Sequence, residues 1–185
     1  MATDYQTIFI RQVRARSAEN ARVFKELARI NAPGQMIAVL RQELDSIIRV
    51  LYLFQQPNSR RAELIKESVN GVRWHRADST AFVTDREMLE LSSKLIGYDK
   101  YVYKFGCHFI HLSNMHDYND RDPLYLIPAK ERKEIISYIN DYHGGPTGNA
   151  IRFVDLVPYL PDVFDKVSGN LDCLLEMLED GIEAY

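Results

Sequence analysis

The chain has 185 residues, 46% of them hydrophobic and 26% charged, a balance that excludes disordered and fibrous classes and leaves room for a core without disulfides or a structural metal. The formal net charge of −3 argues against wholesale nucleic-acid binding through a basic excess, and two cysteines, Cys107 and Cys173, exclude a disulfide framework or a cysteine-rich zinc site. No stretch approaches the roughly 20 apolar residues of a membrane span or the apolar run of a secretory signal, so one cytoplasmic domain over residues 1–185, with no membrane association, is expected.

Charge is unevenly spread. Residues 1–30 hold Arg11, Arg14, Arg16, Arg22, Lys25 and Arg29 against Asp4, Glu19 and Glu26. The last stretch reverses this, with Asp162, Asp165, Asp172, Glu176, Glu179, Asp180 and Glu183 against Lys166. The two ends could pair within one molecule, face a partner, or leave the first helix as a basic strip for a phosphate backbone.

Periodicity predicts helix almost throughout. Phe24, Leu27 and Ile30 recur at helical spacing before "NAPG", where Pro33 suits the first turn of a second helix. Leu40, Leu44, Ile47, Ile48 and Leu51 then form a core-facing stripe that stops at Gln56-Pro57. So short a break predicts a long antiparallel helical hairpin. Within its second helix Arg41, Asp45 and Arg49 follow at i, i+4 and form a charge ladder, able to fix helix register if buried.

"SRRAELIKES" reads as a short helix, followed by a poorly periodic linker that holds Trp74 and little strand. Thr84 and Glu87 have the spacing of a capping box and open the next helix, which Gly97 ends or bends. "YDKYVYKFGCHFIHLSNM" reads as helical to about Asn114, and "NDRDPLYLIP" as a loop. Pro128 starts a further helix that Gly144-Gly145 stops. Pro161 opens the last, with Val163, Phe164, Val167, Leu171, Leu174, Leu175 and Leu178 on its inner face. The expected architecture is an all-α compact bundle of about six helices.

Three of the five histidines fall in "KFGCHFIHLSNMHD", residues 104–117. At about 100° per residue, Lys104, His108, His111 and Met115 share one narrow strip. Val102, Phe105, Phe109, Leu112 and His116 occupy the adjoining arc and are expected to pack inward. The strip would then lie at the border of core and solvent, where an imidazole can be tuned and still reach a ligand.

Two chemistries suit these residues. One is metal binding, with His108 and His111 one turn apart and His116 or Asp117 as a third ligand. In this the stretch resembles the histidine–aspartate pair of the HD-domain phosphohydrolases, although no second histidine helix or aspartate helix completes that set. The other is metal-independent RNA cleavage, which needs a cation for the phosphate and an imidazole to move the 2′-hydroxyl proton.

With Lys104 and His111 so spaced after a helical hairpin, the chain resembles the HEPN superfamily, small helical bundles that pair an arginine with a histidine four to six residues later. The resemblance implies a homodimer with a composite site, RNA as ligand, no cofactor or metal, and a place in a bacterial defence or toxin–antitoxin type system with an antitoxin or other protein partner. It makes Lys104 the phosphate clamp, His111 the proton-transfer group and His108 the residue that orients them, with Asn114, His116 and Asp117 as substrate contacts. Lys104 replaces the family's arginine and Phe105 its usual polar neighbour, so a non-catalytic binding or dimerisation module is equally implied. Tyr98, Tyr101, Tyr103, Tyr118 and Tyr125 offer amphipathic rings for a dimer interface.

Overall fold

The computed structural model describes residues 4–96, 99–148 and 150–182, with side chains described outside 92–100. The fold is all-α. Its helices are α1 (Tyr5–Arg29), α2 (Pro33–Phe54), α3 (Asn58–Val69), α4 (Asp85–Ile96), α5 (Asp99–Ile110), α6 (Ala129–His143), the single turn α7 (Phe153–Leu156) and α8 (Leu160–Glu179). Among the described residues there is no strand, only an isolated antiparallel bridge between His75 and Phe82 in the linker before α4.

Local signals explain most of the boundaries. Asp4 caps α1 by accepting from the Thr7 amide at 3.2 Å, and Pro33 occupies the first turn of α2. The Thr84–Glu87 box is formed, with the Thr84 amide donating to Glu87 at 2.8 Å and the Glu87 amide to Thr84 Oγ1 at 3.3 Å. Glu87 also accepts from Arg76 at 2.6 Å, and these bonds hold its carboxyl down at about 2. Gly144 ends α6 in the left-handed region at φ 60°, a conformation that glycine adopts without strain. The break expected at Gly97 lies outside the described residues.

α2 is the axis of the bundle. It packs against α1, α4, α5 and α8, and its buried residues cover all but the stripe of Gln35, Ala38, Gln42, Asp45, Arg49 and Tyr52, far more than the single apolar stripe that periodicity suggested. Leu44, Ile47, Ile48 and Leu53 are fully enclosed, and α8 contributes Val163, Phe164, Val167, Leu171, Leu175 and Leu178 to the same core. Phe24 of α1 stacks on Phe164 of α8 with ring centres 4.4 Å apart.

A helix enclosed in this way must also bury its polar residues. Glu43 is 0% exposed, and its carboxylate accepts from Ser17 and, at 2.8 Å, from Asn20, both on α1. Trp74, buried in the linker with Val83, donates to the Leu64 carbonyl and to Ser68 Oγ, each at 2.8 Å, fastening the linker to α3.

Candidate functional site

α5 ends at Ile110, about one turn before the expected Asn114. The Ser113 hydroxyl donates to the His108 carbonyl at 2.7 Å and accepts from the Met115 amide at 3.2 Å, so it closes one helix and caps the 3-10 turn Asn114–His116. The single strip from Lys104 to Met115 is therefore cut. Leu112, expected to pack inward, is 97% exposed, whereas Phe105 and Phe109, still on the helix, are buried. Periodicity misplaced Leu112 because it continued an apolar rhythm past the residue that breaks the helix.

Lys104 and His108 remain together. With Arg86 and Leu89 of α4, Tyr103 and Cys107 of α5, and Pro128 and Glu131 at the start of α6, they line an open groove of about 550 Å³. Lys104 Nζ stands 3.4 Å from Glu131, and Arg86 is paired with Glu90 along α4 at 2.9 Å. His111 is exposed beyond the helix end and does not line the groove. Neither do Asn114, His116 and Asp117. His116 Nδ1 lies 3.3 Å from the Ser113 amide, completing the turn's cap, and its ring packs on Phe109. The Asp117 carbonyl accepts from the Arg121 amide at 2.8 Å in the following turn. Among the described residues no three His, Cys, Asp or Glu side chains are grouped closely enough to hold one metal ion.

Beneath the groove lies a polar network that spacing revealed only in part. The Arg41–Asp45–Arg49 ladder is buried at its first rung. The Arg41 guanidinium lies over the Tyr103 ring, 3.3 Å from its centre, and its Nε donates to Cys107 Sγ at 3.4 Å. Asp45 accepts from Arg49 at 3.1 Å and from Arg16 of α1 at 3.3 Å. Asp85 at the head of α4 faces Arg49 at 3.5 Å and Arg41 at 3.6 Å, and accepts from the Tyr103 hydroxyl at 3.1 Å. Burial pushes the Tyr103 phenol well above its ordinary value, keeping it a donor.

Gly106 permits this closeness, since a Cβ there would sit 2.8 Å from Arg41 Cβ. Asp85 and Tyr103 lie too far along the chain from Arg41 for local spacing to have joined them. Tyr103 is thus an internal residue rather than an interface ring, Tyr101 and Tyr118 are half-buried, and Tyr98 lies outside the described residues. Of the five tyrosines, Tyr125 is the one described as open to solvent, with Arg132 stacked on it at 4.6 Å.

No protein-family model, curated protein or solved structure matches the chain.

Proposed function

We propose that the chain is a HEPN-like helical module that binds single-stranded RNA along the α4–α5–α6 groove and does not cut it. The observation that carries this reading is the convergence of Lys104, His108 and Arg86 on one open groove. Two of these are permanent cations able to meet successive phosphates, and His108 can donate to a phosphate or base edge. The volume is that of a small-ligand pocket, suited to one or two nucleotides of a single strand and too small for a duplex. The network around Arg41 lies beneath the groove and ties Tyr103 and Cys107 of its lining to α2. The helix end at Ile110 supports binding without cleavage, because His111, the proposed proton-transfer group, stands past the end of the helix that carries the proposed clamp, Lys104.

Fluorescence anisotropy with a short labelled single-stranded RNA tests this. Two phosphate contacts give a salt slope of about −1.4, so affinity should fall about 7-fold between 50 and 200 mM salt. Lys104→Gln should halve that slope, leaving roughly a 2.6-fold fall. His111→Ala should leave binding unchanged. Salt-independent or absent binding would refute the reading, and RNA cut by the wild-type chain but not by His111→Ala would restore the catalytic alternative.

A further inference from the structure

α1 and α8 lie side by side on the surface and run in opposite directions. Gln6 donates to the Leu178 carbonyl at 2.9 Å, the Ser17 and Ser168 hydroxyls meet at 3.3 Å, and Phe24 stacks on Phe164. One sign of charge predominates on the outward face of each helix, although Glu19 and Glu26 are also exposed on α1. On α1, Arg11, Arg22, Lys25 and Arg29 are all exposed and fall within about 60° of one another. On α8, Asp162, Asp165, Asp172 and Glu176 are all exposed and fall within about 80°.

The stripes do not neutralise each other within one molecule. Arg14–Glu179, at 2.9 Å, is the one ion pair across the α1–α8 seam among the described residues. Arg29 is paired with Glu26 on its own helix, and Lys166, the cation nearest the acidic stripe, is turned over the Tyr142 ring at 3.6 Å. Arg11, Arg22, Lys25, Asp165, Asp172 and Glu176 have no opposite charge in contact among the described residues.

We propose that this α1–α8 face docks on the same face of a second copy of the chain, basic stripe against acidic stripe. A two-fold axis parallel to the helices, lying in the interface, carries α1 of one copy onto α8 of the other and preserves the level of each residue along the axis. The register of Ser17 with Ser168 and Phe24 with Phe164 then sets the pairs. Arg22 faces Asp165 of the other copy, Lys25 faces Asp162, and Arg11 faces Asp172. An axis across the helices would set like charges together.

Ala18 and Gly169 stand at the centre of this face, at nearly the same level. A Cβ on Gly169 would meet nothing within 4 Å in the single chain, so the fold has no internal use for a glycine that weakens an exposed helix by about 1 kcal/mol. Against a second copy it is where the helices approach closest. From Arg11 to Arg29 the face is about 27 Å long, and two helices wide it buries roughly 1,100 Å² in total, a small interface held mainly by charge.

Sedimentation velocity on the full chain tests the proposal. At about 100 µM and low salt the chain should sediment as two 21.5 kDa copies, and at about 0.5 M salt as one, since exposed pairs are then screened. Arg22→Glu/Lys25→Glu and Asp162→Lys/Asp165→Lys should each be monomeric at low salt, and an equimolar mixture of the two should recover the dimer. Gly169→Trp should also dissociate it while leaving the helical circular dichroism spectrum intact. A wild-type chain that stays monomeric at low salt, a dimer indifferent to salt, or folded variants that fail to recover on mixing would overturn the proposal.

Discussion

Truncating Arg41 to alanine removes a side chain of α2 that reaches both α4 and α5. Its planar contact with Tyr103 at 3.3 Å is desolvated, a setting in which cation–π attraction reaches about 2 kcal/mol. The ionic contacts add less, because they are long, 3.6 Å to Asp85 and 3.9 Å to Asp45, and both carboxylates keep Arg49. Roughly 0.5 kcal/mol is assigned to them together. The lost stem would also enlarge a small apolar cavity of about 40 Å³ that Arg41 already lines with Phe105, Val102 and Ile37. Allowing about 0.5–1 kcal/mol for that, Arg41→Ala should cost about 3 kcal/mol in all.

Arg41→Met keeps the volume and a sulfur–aromatic contact to Tyr103, and should cost about 1 kcal/mol. Urea unfolding followed by circular dichroism separates these, and the alanine variant's Tm should drop by roughly 6–12 °C. Equal costs below about 1 kcal/mol for both variants would show that the network is incidental to packing and refute the assignment of most of the cost to the Tyr103 stack.

Two further outcomes follow from the buried and capping carboxylates. Glu87, held down at about 2 by Arg76 and the Thr84 cap against an ordinary 4.5, contributes stability that is complete above pH 4.5 and is lost as pH falls toward 2. Glu87→Gln should therefore flatten the dependence of Tm on pH in that window, which thermal melts between pH 7 and pH 3 would register. Glu43→Ala should strand the Ser17 and Asn20 donors inside the bundle and cost about 3 kcal/mol, while Glu43→Gln, which can still accept from one of them, should cost about half as much by urea unfolding.

The helices were legible because their signals are local. Thr84 and Glu87 announce a cap three residues apart, Gly144 a stop, and the apolar spacing from Val163 to Leu178 an inner face. Two features were not legible. Nothing in the periodicity of α2 says that most of its circumference is covered, since Glu43 reads as an outward polar residue until Ser17 and Asn20 are brought to it from another helix.

The end of α5 was signalled, but by a competing rule. Leu112 continues the apolar spacing of Val102, Phe105 and Phe109, while Ser113 offers a side-chain bond to the helix's free carbonyl, and the bond prevails. Half of the candidate site was readable for the same reason. Lys104 and His108 lie where the helix is regular, and His111 lies past its end. Arg86 and Glu131 reach the groove from neighbouring helices and leave no mark near residue 104 in the chain.

The enclosure of α2 has a kinetic side. Its apolar surface is shared between α1, which precedes it, α4 and α5, which follow at mid-chain, and α8, which comes only after the whole stretch from Gln55 to Tyr159. During synthesis at about 5–20 residues per second, the part that α8 covers stays wet for roughly 5–20 s after α2 itself is complete. A helical protein with mostly neighbouring contacts would close as it grows. This one keeps one side of its most apolar helix waiting for its last, so apolar surface is exposed longest in its nascent form.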